Sequence, residues 1–175
     1  MTYLITFSCY GSHLHGDASG SVDRLHHIYR SPLADTDRDR AFIERTHLLE
    51  TPYVMAAEQR ETVLKTILEV CHHRGWTLHA AHVRTTHVHA VVEGDSRPEA
   101  MMNAFKSYAS RALNSIGLDG GSKTRWARHG STRWLWNQDD LRAAVDYVST
   151  GQGEQMAMFI APRTDVRDDR DTTAP

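Results

Sequence analysis

Thr85-Thr86-His87-Val88-His89-Ala90-Val91-Val92 is the stretch on which the fold turns. Its β-branched residues favour a strand, and successive side chains of a strand point to opposite faces. His87 and His89 therefore share one face, with Val88 turned to the other. Trp76 to Val83 reads as a preceding strand, joined to His87–Glu93 through the corner Arg84-Thr85-Thr86 and closed off by Gly94-Asp95. Two imidazoles side by side on a rigid strand make half of a divalent-metal site. Two polar residues on the wet face of a half-buried strand would give the same pattern.

Upstream, residues 3–10 (Tyr-Leu-Ile-Thr-Phe-Ser-Cys-Tyr) form a first strand ended by Gly11. From there to Pro52 the chain is polar and turn-rich, a long insertion loop over residues 11–52 with a short helix possible near 40–48. Between Ala56 and Arg74, Val63, Ile67, Val70 and Cys71 recur at helical spacing, and Gly75 stops the helix. Downstream, Ser96 and Glu99 have capping-box spacing for a helix running to Ser115, with Met101, Phe105, Tyr108 and Ala112 on one side. A last strand at Thr132–Trp136 and a last helix at Asp139–Ser149 follow. This order predicts an α+β domain: a ferredoxin-like antiparallel sheet with helices packed on one face. It spans residues 1–160 and leaves 161–175, which have almost nothing to bury, as a disordered tail.

At 175 residues the chain is long enough for one domain with a real core. A formal net charge of −2 excludes a global positive field, so any nucleic-acid binding must come from a local patch. Cys9 and Cys71, the only cysteines, fit reduced thiols in a cytoplasmic chain better than a disulfide framework. The N-terminus lacks the basic region of a signal peptide, and no apolar run is long enough for a membrane span. Of the twelve histidines, His13 and His15 repeat the His-x-His spacing, but a loop fixes no geometry for them.

One such patch exists. Between residues 104 and 134, Lys106, Arg111, Lys123, Arg125, Arg128 and Arg133 face a single acid, Asp119, and interleave with Trp126 and Trp134. Cations neutralise phosphates while aromatic faces stack on unpaired bases, so Trp126 and the six cations are candidate DNA-binding residues. Within this region Tyr108 sits between Lys106-Ser107 and Ser110-Arg111. A phenol is a weak nucleophile at neutral pH, and local positive charge strengthens it.

His-Val-His on a strand, followed by a helix with Tyr108 in the context Asn103-Ala104-Phe105-Lys106-Ser107-Tyr108, resembles the HUH single-tyrosine transposases of the IS200/IS605 type. The similarity is greatest to their REP-associated members and extends through the segment Trp134 to Tyr147. The resemblance implies a metal-dependent DNA strand transferase: His87 and His89 hold Mg²⁺ or Mn²⁺, and Tyr108 attacks the scissile phosphate. A 5′-phosphotyrosine and a free 3′-hydroxyl result. It further implies single-stranded DNA folded into hairpins as substrate, and a homodimer. One departure concerns the third metal ligand, carried by relatives one helical turn after the tyrosine, where this chain has Ala112. That departure supports an alternative, a domesticated, non-catalytic single-stranded nucleic-acid-binding protein of the same fold. A small metal-dependent hydrolase using only the histidines is a third reading.

Overall fold

A computed structural model describes residues 1–12, 46, 48, 50–118 and 124–162. Most of the expected insertion loop, His13 and His15, Lys123 and the tail beyond Pro162 lie outside the described residues. The elements are β1 (Thr2–Cys9), α1 (Ala57–Arg74), β2 (Thr77–Val83), β3 (His87–Glu93), α2 (Pro98–Ile116), β4 (Trp126–Leu135), α3 (Gln138–Thr150) and β5 (Ala157–Ile160). The strands form one sheet in the order β4-β1-β3-β2-β5, and every pairing is antiparallel. The expected α+β antiparallel sheet is thus the observed fold, with β3 lying between β1 and β2 as in a split βαβ unit.

Strand alternation sorts the core into two layers. Ile5, Phe7, Val88, Ala90 and Val92 pack against Val63 and Ile67 of α1 and Met101, Phe105 and Leu113 of α2. The other face carries a smaller cluster, Leu4, Ala80, Val91 and Leu135, covered by Ala144 and Val148 of α3. Two helices therefore share one face, and α3 adds a partial cover on the other. This explains the pattern of β3: Ala90-Val91-Val92 is apolar on both sides, while on the second face His87 is half-buried at the start of the strand and His89 is buried beside it.

Several local expectations change. The N-cap of α2 is Arg97, with no side-chain cap hydrogen bond, and Pro98 occupies the first turn. Glu99 instead accepts a hydrogen bond from Thr132 Oγ1 at 3.0 Å. Strand β4 is longer than the expected 132–136 because it pairs with β1 along most of its length, across an irregularity between Phe7 and Cys9. Gly130 lies at this crossing: a Cβ there would meet the Met102 sulfur and the Thr6 carbonyl oxygen. Short β5, absent from the sequence reading, extends the sheet beyond β2. Among the described residues no helix is long and apolar enough to cross a membrane.

Candidate active site

The imidazoles of His87 and His89 project together from the α3 face of β3, with ring centroids 4.9 Å apart at 75°. His89 is buried, and its Nδ1 lies 2.8 Å from Thr6 Oγ1 on the neighbouring strand. The Gln152 side chain, whose Nε2 donates to the Tyr147 carbonyl at 3.4 Å, lies close enough to His89 to act on its titration. Thr86 Oγ1 lies 3.2 Å from His87 Nδ1. Burial, reinforced by nearby His87, pushes the pKa of His89 down to about 3, opposed by the Gln152 side chain and aided by His82 and Arg84. His89 is therefore neutral at physiological pH, the form in which an imidazole binds a metal.

The aromatic residue beside this pair is Tyr147. Its ring meets His89 edge-on, with centroids 5.4 Å apart and planes at 76°, and the residue is 47% exposed. It comes from the last turns of α3, a helix that Asn137 starts by accepting the Asp140 N–H. Leu141, Ala144, Val145 and Val148 turn inward, which leaves Tyr147 on the flank of the buried stripe. The chain then turns through Gly153, at φ 75°, and returns as β5. Gln152 lies in this turn and Arg84 Nη1 donates to the Glu154 carbonyl at 2.7 Å.

His82, on β2, is paired in register with His89 and is fully buried. Its Nδ1 donates to the Val148 carbonyl at 3.0 Å, and its Nε2 accepts the Met156 N–H at 3.2 Å. Burial holds its pKa below the ordinary histidine value, partly offset by the bond to Val148.

Tyr108 is not brought to the imidazoles. It packs against the core on the α1/α2 face, on the opposite side of the sheet, and lines a cavity of about 170 Å³ with Thr66, Glu69, Val70, His73 and Arg74. The Arg111 guanidinium lies over its ring, 4.4 Å from the centroid. Three expected DNA contacts also have structural partners. Lys106 is buried, and its Nζ donates to the carbonyls of Ala127 at 2.9 Å and His129 at 3.1 Å. Arg125 is buried and donates to Asn114 Oδ1 at 2.7 Å. Trp126 packs edge-on against Phe7 and donates its Nε1–H to the Lys106 carbonyl and Ser110 Oγ. Arg128 is exposed on β4. Arg133 is paired with Leu4, so it shares the sheet face of the histidines. Spacing along the sequence could not identify Tyr147, Gln152 or Thr6. The available signal was weak: a tyrosine and a glutamine bracketing the end of the last amphipathic helix.

Among the described residues no three His, Cys, Asp or Glu side chains converge on one point. The nitrogen donors brought together are the two imidazoles, with the Gln152 amide nearby; neutral imidazole and amide oxygen are donor types that suit a divalent cation.

The sequence model of a family described as transposase, IS200-like, matches residues 50–138, a segment that contains His87 and His89 and ends before Tyr147. Among solved structures, the chain is similar to a REP-associated tyrosine transposase bound to a REP hairpin, at 17% identity and a TM-score of 0.46. That match covers 86% of this chain and only 65% of the other. It is also similar to a chain described as a transposase from Deinococcus radiodurans, at 9% identity and a TM-score of 0.48, covering 82% of this chain and 85% of that one. A comparison with curated protein sequences finds no match. The family match spans just over half of the sequence, and on that ground the chain belongs to the IS200-like transposases.

Proposed function

We propose that this transposase cuts and rejoins single-stranded DNA through a covalent intermediate on Tyr147, with His87, His89 and Gln152 as the metal-binding set. The observation that carries the reading is the edge-on contact between Tyr147 and His89 within one chain. Tyr147 thereby takes the role that the family resemblance gave to Tyr108.

Tyr147, half exposed at the rim, is the group that an incoming phosphodiester can reach. Its phenol oxygen bonds to phosphorus as its proton passes to water. The bond from phosphorus to the 3′ oxygen breaks, and that oxygen takes up a proton. The products are a 5′-phosphotyrosine and a free 3′-hydroxyl. The linkage keeps the energy of the broken bond, so a second 3′-hydroxyl can reverse the step and reseal the strand. Thr6 holds one nitrogen of His89 and fixes the ring, the supporting role that a metal-ligating histidine requires. His87, His89 and Gln152 would hold Mg²⁺ or Mn²⁺, which would supply Lewis-acid stabilisation of charge on the phosphate oxygen. Arg133, on the face of the histidines, is the DNA-facing cation that this reading retains.

The substrate in this reading is hairpin-forming single-stranded DNA, and the working assembly is a cytoplasmic homodimer. Incubation with labelled hairpin DNA and Mn²⁺ tests the chemistry. The wild type and Tyr108→Phe are expected to form a covalent protein–DNA adduct, and Tyr147→Phe to form none. Adduct retained in Tyr147→Phe and lost in Tyr108→Phe would reverse the assignment.

A further inference from the structure

Tyr147 and Gln152 reach His89 from a segment that has little core of its own. Among the described residues after Val148, only Ala157, on β5, is buried. Besides the pairing of β5 with β2, the His82 side chain ties this segment to the end of α3. Val148 lies in the last turn of α3, where carbonyls have no partner within the helix. His82 Nδ1–H satisfies that carbonyl, and Nε2 takes the N–H of Met156 beyond the turn. One imidazole thus closes residues 148–156 into a loop, with Tyr147 just outside one end and Gln152 near its middle. The same imidazole is anchored on β2 directly opposite His89.

We infer that His82 is a positioning residue of the transferase site, an imidazole bracket that holds the tyrosine helix and the Gln152 turn in register with the histidine pair. The inference rests on the reading of Tyr147 as nucleophile. His82 touches neither DNA nor the reacting atoms; it acts through the two backbone groups it joins. Both polarities are required, a donor toward Val148 and an acceptor toward Met156, and a neutral imidazole provides them on opposite sides of one rigid ring. Arg84 to the Glu154 carbonyl and the Thr85 hydroxyl to the Met156 sulfur secure the same turn from the strand corner. They do not reach the helix that bears Tyr147.

The test is single-turnover adduct formation on hairpin DNA with Mn²⁺, with rate constant, reacting fraction and DNA affinity measured separately. His82→Phe keeps the ring volume and removes both hydrogen bonds. It is expected to lower the rate constant at saturating DNA by about 10- to 100-fold, the scale of a misplacement near 1 Å. Reacting fraction and affinity should stay close to wild type. His82→Gln, which retains an acceptor for Met156, is expected to lie between the two and gives the readout if His82→Phe does not fold. Leu113→Ala, a core change on the opposite face, controls for lost stability and should alter the reacting fraction without altering the rate constant.

An unchanged rate constant in the folded His82 variants, or a loss confined to the reacting fraction, overturns the bracket and leaves the nucleophile standing. No adduct in the wild type, or adduct retained in Tyr147→Phe, overturns the nucleophile and the bracket together.

Discussion

At the scale of single residues, environment decides which of several similar side chains can do chemistry. Two tyrosines sit on helices near the sheet, but Tyr108 has Arg111 over its ring in a cleft between α1 and α2, while Tyr147 touches His89. The stripe Met101, Phe105, Tyr108 and Ala112 already marked Tyr108 as facing a core; sequence distance from the histidines said nothing about which side of the sheet its helix covers. The missing ligand at Ala112 loses its force once Tyr147 is the phenol, because Gln152 then offers an amide beside His89. That removes the main support for a non-catalytic binding protein. Burial also gives the histidines a thermodynamic signature. The folded protein holds His89 near a pKa of about 3 and His82 below its ordinary value, so below about pH 6.5 the unfolded chain binds more protons than the folded one. Stability is therefore complete above that pH and lost progressively as pH falls towards 3. The urea midpoint should fall from pH 7 to pH 5, and less steeply in His89→Phe; an equal fall in both would show that His89 is not held neutral.

At the scale of elements, the sequence was most legible where periodicity was strong. The expected helix over Ala56–Arg74 and the strand pair around the Arg84-Thr85-Thr86 corner match α1, β2 and β3 closely. Where partners decide, local pattern was insufficient. The extent of β4 depends on pairing with β1, and four-residue β5 depends on the open edge of β2. The basic segment misled for a related reason: a cation followed by an aromatic looks the same whether it meets phosphate or a strand carbonyl. Lys106 belongs to the second kind and joins α2 to β4 through two carbonyls. Lys106→Met should therefore destabilise the fold by about 1–3 kcal/mol in chemical denaturation, the scale of charged hydrogen bonds lost. The salt dependence of DNA binding should not change. Loss of a phosphate contact would lower its slope by about one, and that result would return Lys106 to the DNA interface.

At the scale of the whole molecule, the sheet separates two tasks. One face, under α1 and α2, holds most of the core and takes up Lys106 and Trp126 along with Tyr108. The other face is only partly covered, and there α3 leaves His87, His89 and Tyr147 at the end of a smaller apolar cluster. His82 fastens the two ends of that arrangement from within the sheet. The most direct measurement is to digest the covalent protein–DNA adduct with trypsin and identify by mass spectrometry the peptide that carries the nucleotide. Attachment to the peptide of residues 143–163, which contains Tyr147, is the predicted result. Attachment to residues 107–111, which contain Tyr108, would contradict it.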